Sequence, residues 1–427
     1  MASKSKLSVV LDIGTSKLVA IAGHKNELGN IEISGISKTT SKGIKRGLVF
    51  NIDEAALSIN KVLTDLESLI EEKIEKVNIA FAAHHFKTLP YQCSKFTSDQ
   101  GVVSQFDIEH LINEAAKVNL EKGFKQVKVI PRSYVIDGES ELNPVGITGR
   151  EVVANYNLLV VSEDYILNFQ RVFDKIGFKI GEISLSTLAL SEAVLTDDEK
   201  EMGVIILDIG AGTTKMAVFH ENMLMHSAVI PFGGDVVTRD IKEGCSILLK
   251  WAEQLKVQYG QALGDFADDH KMVTISAQNG WEPKEISFKS LAFIIQARME
   301  EIIDCVAKQI EKSGIYENLG AGIVVTGGTA NLENIISLVK FRTGMDARLA
   351  NLSLRLNQKN KEYQNPENYT AIGMLNLIAN KTESTVIQKV KKEKRKRESG
   401  GISPWFTKVV QGVLDMVDDE SEDVELN

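Results

Sequence analysis

The sequence predicts an α/β protein built from two related halves and followed by a separate C-terminal tail. Residues 11–21 and 207–219 repeat one pattern: an apolar run, a turn of glycine and hydroxyl residues, and a second apolar run. Each copy is typical of two strands joined by a tight loop. Helical and strand-like periodicities alternate between and after the copies, as in α/β folds. A polar, basic stretch then begins at Lys381.

The composition indicates an ordinary globular chain. Its 427 residues are 43% apolar and 25% charged, enough for two or three domains of about 150 residues and unlike a disordered, collagen-like or disulfide-rich protein. Cys93, Cys245 and Cys305 show no CxxC spacing, so neither a zinc site nor an oxidising compartment is expected. The longest stretch free of Asp, Glu, Lys and Arg, residues 318–332, is shorter than the roughly 20 residues of a membrane-spanning helix. The N-terminus lacks an apolar signal core and the net charge is −9, so we expect a cytoplasmic protein that does not bind nucleic acid.

Several helices are predicted from capping residues and periodicity. Asn51 and Asp107 are each suited to cap a helix. A long helical pattern covers about residues 290–313 and ends at Gly314. The strand after it leads into a glycine turn and a helix from about Leu332.

The two repeated hairpins are candidate phosphate sites. Gly14, Gly210 and Gly212 let the backbone approach a ligand closely, and the N–H groups of such turns can point at a phosphate. Hydroxyl groups and positive charge accompany them, from Thr15, Ser16, Lys17, Thr213, Thr214 and Lys215. Asp12 and Asp208 precede the turns, where a divalent cation and its waters can separate them from phosphate. One such hairpin is a common core feature, whereas two matched copies can clamp a phosphate chain from both sides.

Two further features can contact the rest of a nucleotide. Gly327 and Gly328, followed by Thr329, would let a flat base or ribose lie against the backbone, although an ordinary strand-to-helix turn explains them equally well. Glu253 and Lys256 share one helical face, where a solvated surface pair is the simpler alternative. The chain has no Gly-Lys dipeptide for a P-loop and no GxGxxG run.

In order, these glycine sites resemble the phosphate-1, phosphate-2 and adenosine motifs of the actin/Hsp70/sugar-kinase superfamily. Within it the chain resembles the FtsA family of actin-like bacterial cell-division proteins over about residues 7–380. The resemblance extends to SKGI from Ser41, VIPRSYVID from Val129, NPVGITG from Asn143, IPFGGDVVT from Ile230 and YTAIGML from Tyr369. It is most specific between residues 84 and 164, the segment that resembles the subdomain FtsA carries in place of the usual actin one.

The resemblance implies that ATP and Mg²⁺ bind between two lobes. Asp12 and Asp208 would hold Mg²⁺ through its waters. The residues implied to bind the nucleotide are Gly14, Thr15, Ser16, Lys17, Gly210, Ala211, Gly212, Thr213, Thr214, Lys215, Gly234, Glu253, Lys256, Gly327, Gly328 and Thr329. No side chain identifies itself as the group that positions an attacking water, so the sequence does not predict hydrolysis.

The resemblance also implies the domain organisation. The implied segments are subdomain 1A (1–83, 165–202 and 365–380), the inserted subdomain 1C (84–164), subdomain 2A (203–232 with the phosphate-2 hairpin and 316–364 with the adenosine motif), subdomain 2B (233–315), a basic linker (381–402), an amphipathic helix (403–417) and an acidic tail (418–427).

The implied partners follow from the same family. FtsA-like proteins polymerise on the membrane and hold the tubulin-like FtsZ ring through its C-terminal peptide. The resemblance therefore implies FtsZ, further copies of the chain, anionic membrane and other division proteins as partners. The peptide would dock on subdomain 2B, where Arg298 matches a contacting arginine, with a helix-surface cation as the alternative. The implied location is the cytoplasmic face of the inner membrane at the division site.

The tail has the pattern of an amphipathic helix. Ser403 can cap it and Pro404 suits its first position. Its apolar, membrane-binding face carries Trp405, Phe406, Val409, Val410, Val413 and Leu414. Such a helix is suited to lie in a membrane surface, and the basic linker would be attracted to anionic lipid. Residues 418–427 are acidic, so we expect weaker anchoring. A helix that packs on its own domain or in a partner's groove is the alternative.

Three other functions are possible for such a chain. A sugar or small-molecule kinase would need a catalytic carboxylate facing a substrate cleft. An Hsp70-like chaperone would need a sizeable peptide-binding domain, whereas 47 residues follow Asn380. A pilus-assembly actin homologue would not require the terminal helix. The sequence therefore favours an actin-like ATP-binding protein that polymerises and tethers the FtsZ ring to the membrane.

Overall fold

A computed structural model describes residues 7–26, 28–82, 86–97, 101–275, 283–354, 356 and 363–381. The chain divides into two compact units, Met1–Leu377 and Ile378–Asn427, and the architecture given below belongs to the first. The predicted amphipathic helix with its six membrane-binding residues, the acidic tail and the linker beyond Lys381 lie outside the described residues. No helix within the described ranges is long and apolar enough to cross a bilayer.

Strands and helices alternate along the first unit. The strands are β1 (Ser8–Ile13), β2 (Lys17–Lys25), β3 (Ile31–Thr40), β4 (Ile44–Lys45), β5 (Leu48–Val49), β6 (Lys76–Phe81), β7 (Phe86–Phe96), β8 (Phe124–Ile136), β9 (Glu139–Glu141), β10 (Glu151–Ser162), β11 (Lys179–Leu185), β12 (Val204–Ile209), β13 (Thr214–His220), β14 (Met223–Ile230), β15 (Met272–Ile275), β16 (Lys284–Ser287), β17 (Gly322–Thr326) and β18 (Ala347–Leu349). The helices are α1 (Ile52–Ile70), α2 (Gln105–Ala115), α3 (Glu163–Ile176), α4 (Ser186–Val194), α5 (Asp197–Met202), α6 (Gly234–Cys245), α7 (Leu249–Tyr259), α8 (Phe288–Ser313) and α9 (Ile335–Thr343).

Within the described residues, two five-stranded sheets share one topology. Their strand orders are β3-β2-β1-β6-β11 and β14-β13-β12-β17-β18. In each sheet the first three strands are antiparallel neighbours, and the last three run parallel. The repeated hairpins, β1–β2 and β12–β13, therefore occupy equivalent positions in the two sheets. The predicted duplication of the fold is confirmed.

Helices cover the sheets and connect them. Every residue of β12 is buried, which explains why its sequence is apolar apart from Asp208, since a strand covered on both faces needs no polar side. Helix α4 contacts strands of both sheets: β6 and β11 of the first, and β12 and β13 of the second. The helical residues 369–377 pack closely on α4, because a Cβ on Gly373 would lie 1.8 Å from the carbonyl oxygen of Ala189. Only glycine allows this crossing next to the joint between the sheets.

A third, four-stranded sheet, β7-β10-β8-β9, is inserted between β6 and α3. It is antiparallel and packs with α2 around its own apolar core, where the rings of Tyr134 and Tyr156 meet edge to face at 6.2 Å. The core makes the insertion a separate packing unit within the chain. That organisation agrees with a subdomain added to a loop of the first half.

The predicted helix caps are partly confirmed. Asn51 caps α1 by accepting from two backbone N–H groups, and α8 ends at Gly314 in the left-handed conformation. The prediction that Asp107 caps α2 was wrong, because Ser104 takes that position and Asp107 returns a hydrogen bond to it as the third residue of a capping box. The helix predicted from Leu332 begins at Ile335, since residues 328–331 form a 3-10 turn first.

Candidate functional site

The turns of the two repeated hairpins are built in the same way. In the first, the N–H of Gly14 donates to the carbonyl of Lys17 at 3.1 Å; in the second, Gly210 donates to Thr213 at 3.0 Å. A Cβ on Gly14 would lie 2.7 Å from the Lys17 carbonyl oxygen. The glycine that begins the first turn is therefore required by the close return of the chain.

The two turns meet each other across the joint between the sheets. A Cβ on Gly212 would lie 2.7 Å from both Cγ2 and Oγ1 of Thr15. This distance means that the second turn packs its backbone directly against the first. The arrangement predicted from the repeat, two hairpins that oppose each other, is thus present.

A cavity of about 590 Å³ opens beside this contact. Most of the residues that the sequence predicted for a nucleotide and metal site line it: Asp12, Gly14, Thr15, Ser16, Lys17, Asp208, Gly210, Ala211, Gly212, Thr213, Lys215, Glu253, Lys256, Gly327, Gly328 and Thr329. Residues from both halves of the fold therefore share one concave surface, as a clamp requires.

Two of the predicted residues lie behind the cavity wall. Thr214 is fully buried, and its hydroxyl donates to the carbonyl of Phe232 at 2.9 Å. Gly234 is also buried, and its N–H donates to the carbonyl of Gly210 at 2.9 Å. Both residues support the second hairpin from within the protein.

The carbonyl groups of the second turn are bonded within the protein. The Gly210 carbonyl also accepts from the hydroxyl of Thr329 at 3.1 Å, and the Ala211 carbonyl accepts from the N–H of Asp235 at 2.8 Å. Because the Gly210 and Ala211 oxygens are occupied, they are not free acceptors for a ligand. An anion would meet N–H and hydroxyl donors there instead.

Buried charges lie at the floor of the cavity next to the turns. Lys215 Nζ lies 2.6 Å from Asp208 Oδ2, and both side chains are nearly buried. Burial raises the pKa of Asp12 to about 6; Asp208 adds to this effect, while Lys215 and Lys17 oppose it. Burial acts to lower the pKa of Lys215, but its two carboxylate neighbours outweigh burial and raise it. Asp12 is thus a partly buried carboxyl group whose ionised form would gain from a further cation nearby.

Lys17 is bonded to a residue that sequence reasoning missed. Its Nζ lies 2.7 Å from Glu367 Oε1, and Lys38 Nζ lies 3.0 Å from the other oxygen of the same carboxylate. The bond from Lys17, with that from Lys38, holds the pKa of Glu367 below its usual range. Glu367 also lines the cavity. An anion that approaches Lys17 would therefore compete with this carboxylate.

Lys256 is a buried brace on the other side of the second hairpin. Its ammonium group donates to Glu253 at 2.7 Å, to the Thr238 hydroxyl at 2.8 Å and to the Gly234 carbonyl at 3.1 Å. Glu253 also accepts from Thr238 and keeps about half of its side chain exposed. The alternative of a solvated surface pair therefore does not apply to Lys256, which ties α7 to the first turn of α6.

The paired glycines after β17 are in different surroundings. Gly327 has a φ of 95°, and a Cβ there would lie 2.4 Å from the carbonyl oxygen of Ile209. Gly327 therefore allows close packing against β12, the first strand of the second hairpin. Gly328 has no atom within 4 Å of the Cβ position and leaves space at the cavity wall.

Sequence reasoning did not find several lining residues. They are Gly47, Ala82, Leu190, Asp235, Val257, Asn331, Leu332, Asn365, Pro366, Glu367 and Thr370. Asp235 stood within a segment already noted for its glycines, so its carboxylate was an available signal. The others fall in short segments that are far apart along the chain, so only the fold brings these segments together.

Arg298 lies on α8, outside the cavity lining. It forms ion pairs with Asp240 and with Glu301, and about a third of its side chain is exposed. Its guanidinium group is thus held in one position while part of it faces solvent.

Replacing Lys256 tests its bracing role. We expect Lys256→Met to lower the free energy of unfolding by about 1–3 kcal/mol, because the Gly234 carbonyl and the Thr238 hydroxyl lose a charged donor. Urea unfolding measures this. Lys242→Met, at a more exposed lysine on α6, is the matched control and should stay within about 0.5 kcal/mol of the wild type. Equal stability of all three proteins would contradict the brace.

Comparison with known sequences identifies relatives along the chain. The family model described as cell division protein FtsA matches residues 205–373, and the model of the SHS2 domain inserted in FtsA matches residues 90–160. Cell division protein FtsA of Neisseria meningitidis serogroup B is 32% identical over 94% of this chain and 97% of its own length. The protein of that name from Escherichia coli K12 is 29% identical over 88% of this chain and 90% of its own.

Solved structures agree on the fold. A PilM–PilN type IV pilus biogenesis complex matches with a TM-score of 0.62 and 16% identity, over 87% of this chain and 98% of the other. MreB5 of Spiroplasma citri bound to ADP matches with a TM-score of 0.55 and 15% identity, over 90% and 99% of the two chains. These likenesses confirm the predicted actin-like fold. The FtsA relatives are about 30% identical to the chain, compared with 16% for the pilus protein. The chain belongs to the FtsA family of cell division proteins.

Proposed function

We propose that the chain binds ATP in the cavity between its two five-stranded sheets, polymerises, and tethers the FtsZ division ring to the cytoplasmic face of the inner membrane. The observation that carries the nucleotide part is the contact between two glycine turns, one from each half, which together line one cavity. Two turns with the same internal bond present donors from opposite sides, which suits a chain of phosphates. MreB5 was solved with ADP, and the shared fold makes a nucleotide the favoured ligand.

The carboxylates in the cavity beside the hairpins are of the ligand type that a divalent cation prefers. Asp12 and Asp208 are carboxylates beside the hairpins, and hard cations such as Mg²⁺ prefer oxygen ligands. In the described ranges no three His, Cys, Asp or Glu side chains are close enough to hold a metal by themselves. Phosphate oxygens and water would therefore complete the shell. Bound Mg²⁺ would offset the negative charge of the phosphates.

The opposite part of the cavity fits the base and sugar. Val257 and Leu332 give it apolar lining, and Gly328 leaves space against the backbone. Glu253 and Lys256 lie between this lining and the second hairpin. A nucleoside triphosphate placed with its phosphates at the hairpins would have its base there. This orientation agrees with the order of the sequence motifs.

Adding one methyl group at the hairpin contact tests the nucleotide proposal. We expect Gly212→Ala to weaken ATP binding about tenfold, because the new Cβ overlaps the Thr15 side chain and moves the turns apart. Isothermal titration with ATP and Mg²⁺ measures this. Gly320→Ala is the matched control, since its Cβ has 3.4 Å to the nearest atom. A wild-type chain that binds no ATP would overturn the proposal. Unchanged ATP affinity in Gly212→Ala would show that binding does not depend on the hairpin contact.

We propose that residues 403–417 attach the chain to anionic membrane. The support is the apolar face of that segment, the basic linker before it and membership of the FtsA family.

Sedimentation with anionic vesicles tests this attachment. With ATP and Mg²⁺, the full chain should pellet with vesicles, and a chain truncated after Asn380 should not. Val410→Glu should lose most of the binding because it places a charge on the apolar face, whereas Gln411→Glu adds the same charge to the polar face and should retain most of it. Pelleting without vesicles reports self-association into filaments. Equal lipid binding by full and truncated chains would contradict the tether.

We propose that the C-terminal peptide of FtsZ docks near Arg298. The partly exposed guanidinium group, oriented by Asp240 and Glu301, supports contact with a peptide carboxylate. We expect Arg298→Ala to weaken binding of a labelled FtsZ peptide about tenfold in fluorescence anisotropy. Arg342→Ala is the matched control, since Arg342 has the same exposed fraction and also pairs with an aspartate, Asp304. Equal losses in both variants would indicate that the arginine acts only through stability.

A further inference from the structure

The second hairpin carries a lysine at a strand position where the first hairpin carries a valine. In β12–β13, Lys215 is directly opposite Asp208. In β1–β2, the residue opposite Asp12 is Val19. The two turns have the same length, because each is closed by a bond from its first glycine to the third residue after it. The two aspartates are therefore equivalent, and a position that is apolar in one half of the fold is cationic in the other.

This lysine interacts with both carboxylates beside the hairpins. Its Nζ lies 2.6 Å from Asp208 Oδ2, and only 13% of the lysine side chain and 11% of the aspartate side chain are exposed. Burial alone would lower the pKa of Lys215, but Asp208 and Asp12 outweigh burial and raise it, so the ammonium group lies within electrostatic reach of both. Lys215 is thus a cation of the protein itself, next to the carboxylates proposed for Mg²⁺.

The ammonium group of Lys215 has donors left for a ligand. An ammonium group carries three N–H donors. Within the described ranges, Lys215 forms one hydrogen bond, to Asp208, whereas Lys256 forms three with the protein. Lys215 also lines the cavity. It is therefore able to donate to a phosphate oxygen while it stays bonded to Asp208.

Without this lysine, the charges beside the hairpins would oppose a nucleotide. Asp12 and Asp208 adjoin the turns where phosphates are proposed to bind, and carboxylates repel phosphates at close range. Lys17 brings positive charge to the first turn, but its Nζ lies 2.7 Å from Glu367 Oε1, so a carboxylate already accompanies it. Lys215 offsets one of the two aspartates within the protein. Because this pair is nearly buried, salt screens it less than it screens a surface pair.

We infer that Lys215 is a built-in counter-ion of the site, which offsets part of the charge of the aspartates and the phosphates and so makes nucleotide binding depend only weakly on Mg²⁺. This inference rests on the proposed nucleotide function and adds to it how the site balances charge. It also implies competition, because the ammonium group and a divalent cation are attracted by the same carboxylates. Metal binding in the absence of nucleotide is therefore weak.

The test compares ATP affinity with Mg²⁺ and with EDTA in its place, by isothermal titration. We expect the wild type to lose less than about tenfold in affinity when Mg²⁺ is removed. Lys215→Gln keeps a donor for Asp208 but removes the charge, so its loss should be about tenfold larger than that of the wild type. Lys200→Gln is the matched control, since Lys200 is equally buried, pairs with Glu192 at 2.9 Å and lies outside the cavity lining. It should keep the Mg²⁺ dependence of the wild type.

Metal binding without nucleotide provides a second readout. Mn²⁺ is the probe, because it takes the same oxygen ligands and its free form is followed by electron paramagnetic resonance. We expect Lys215→Gln to bind Mn²⁺ about tenfold more tightly than the wild type, because Asp12 and Asp208 no longer have a competing cation. Lys200→Gln should bind Mn²⁺ as the wild type does.

Each outcome decides the inference. A wild type that binds ATP only with Mg²⁺ would overturn the role of Lys215 and leave the proposed nucleotide function standing. Equal Mg²⁺ dependence in the wild type and Lys215→Gln would overturn that role as well. A wild type that binds ATP in neither buffer would overturn both the inference and the proposed function. Should Lys215→Gln fail to fold, the wild type alone decides, since a loss above about tenfold on removal of Mg²⁺ contradicts the inference.

Discussion

The contact between the two glycine turns is the constraint on which the rest of the site depends. Gly212 packs against Thr15 with no room for a Cβ between them. Because each turn joins strands at an equivalent place in its own sheet, this contact brings the two sheets together at those strand ends. The cavity is the space that remains beside it. Its shape is therefore set by backbone atoms, which cannot change rotamer as side chains do.

A second set of interactions holds the turns in place from behind. The N–H groups of Gly234 and Asp235 and the hydroxyl of Thr329 all donate to carbonyls of the second turn. Lys256 then ties the same corner to α7. The residues nearest a ligand are thus supported by others that do not need to touch it. We therefore expect mutation of the supporting residues to reduce stability and mutation of the residues nearest a ligand to reduce binding.

The charged groups in the cavity differ in whether they have a partner within the protein. Lys215 and Lys17 each have a carboxylate partner within the protein. Asp12 and Asp235, by contrast, accept no hydrogen bond and form no ion pair in the described ranges. Burial raises the pKa of both carboxyl groups. The cavity therefore holds donors at its turns and needs cations or donors at these two carboxylates, as expected for a site completed by a ligand.

The sequence by itself determined the duplication, the α/β class, the hairpin glycines and the helix ends at Asn51 and Gly314, because each depends on residues close together in the chain. It also determined most of the cavity lining, since each motif lies in one turn. Only the tertiary structure decided which groups face the cavity. Thr214 and Thr213 are adjacent in sequence, yet the alternation of the strand turns Thr214 inward. Glu367 reaches Lys17 across about 350 residues of chain, and whether Asp235 or Glu253 is left without a partner depends on how α6 meets α7. Such pairings arise from packing between distant segments, which no local pattern records.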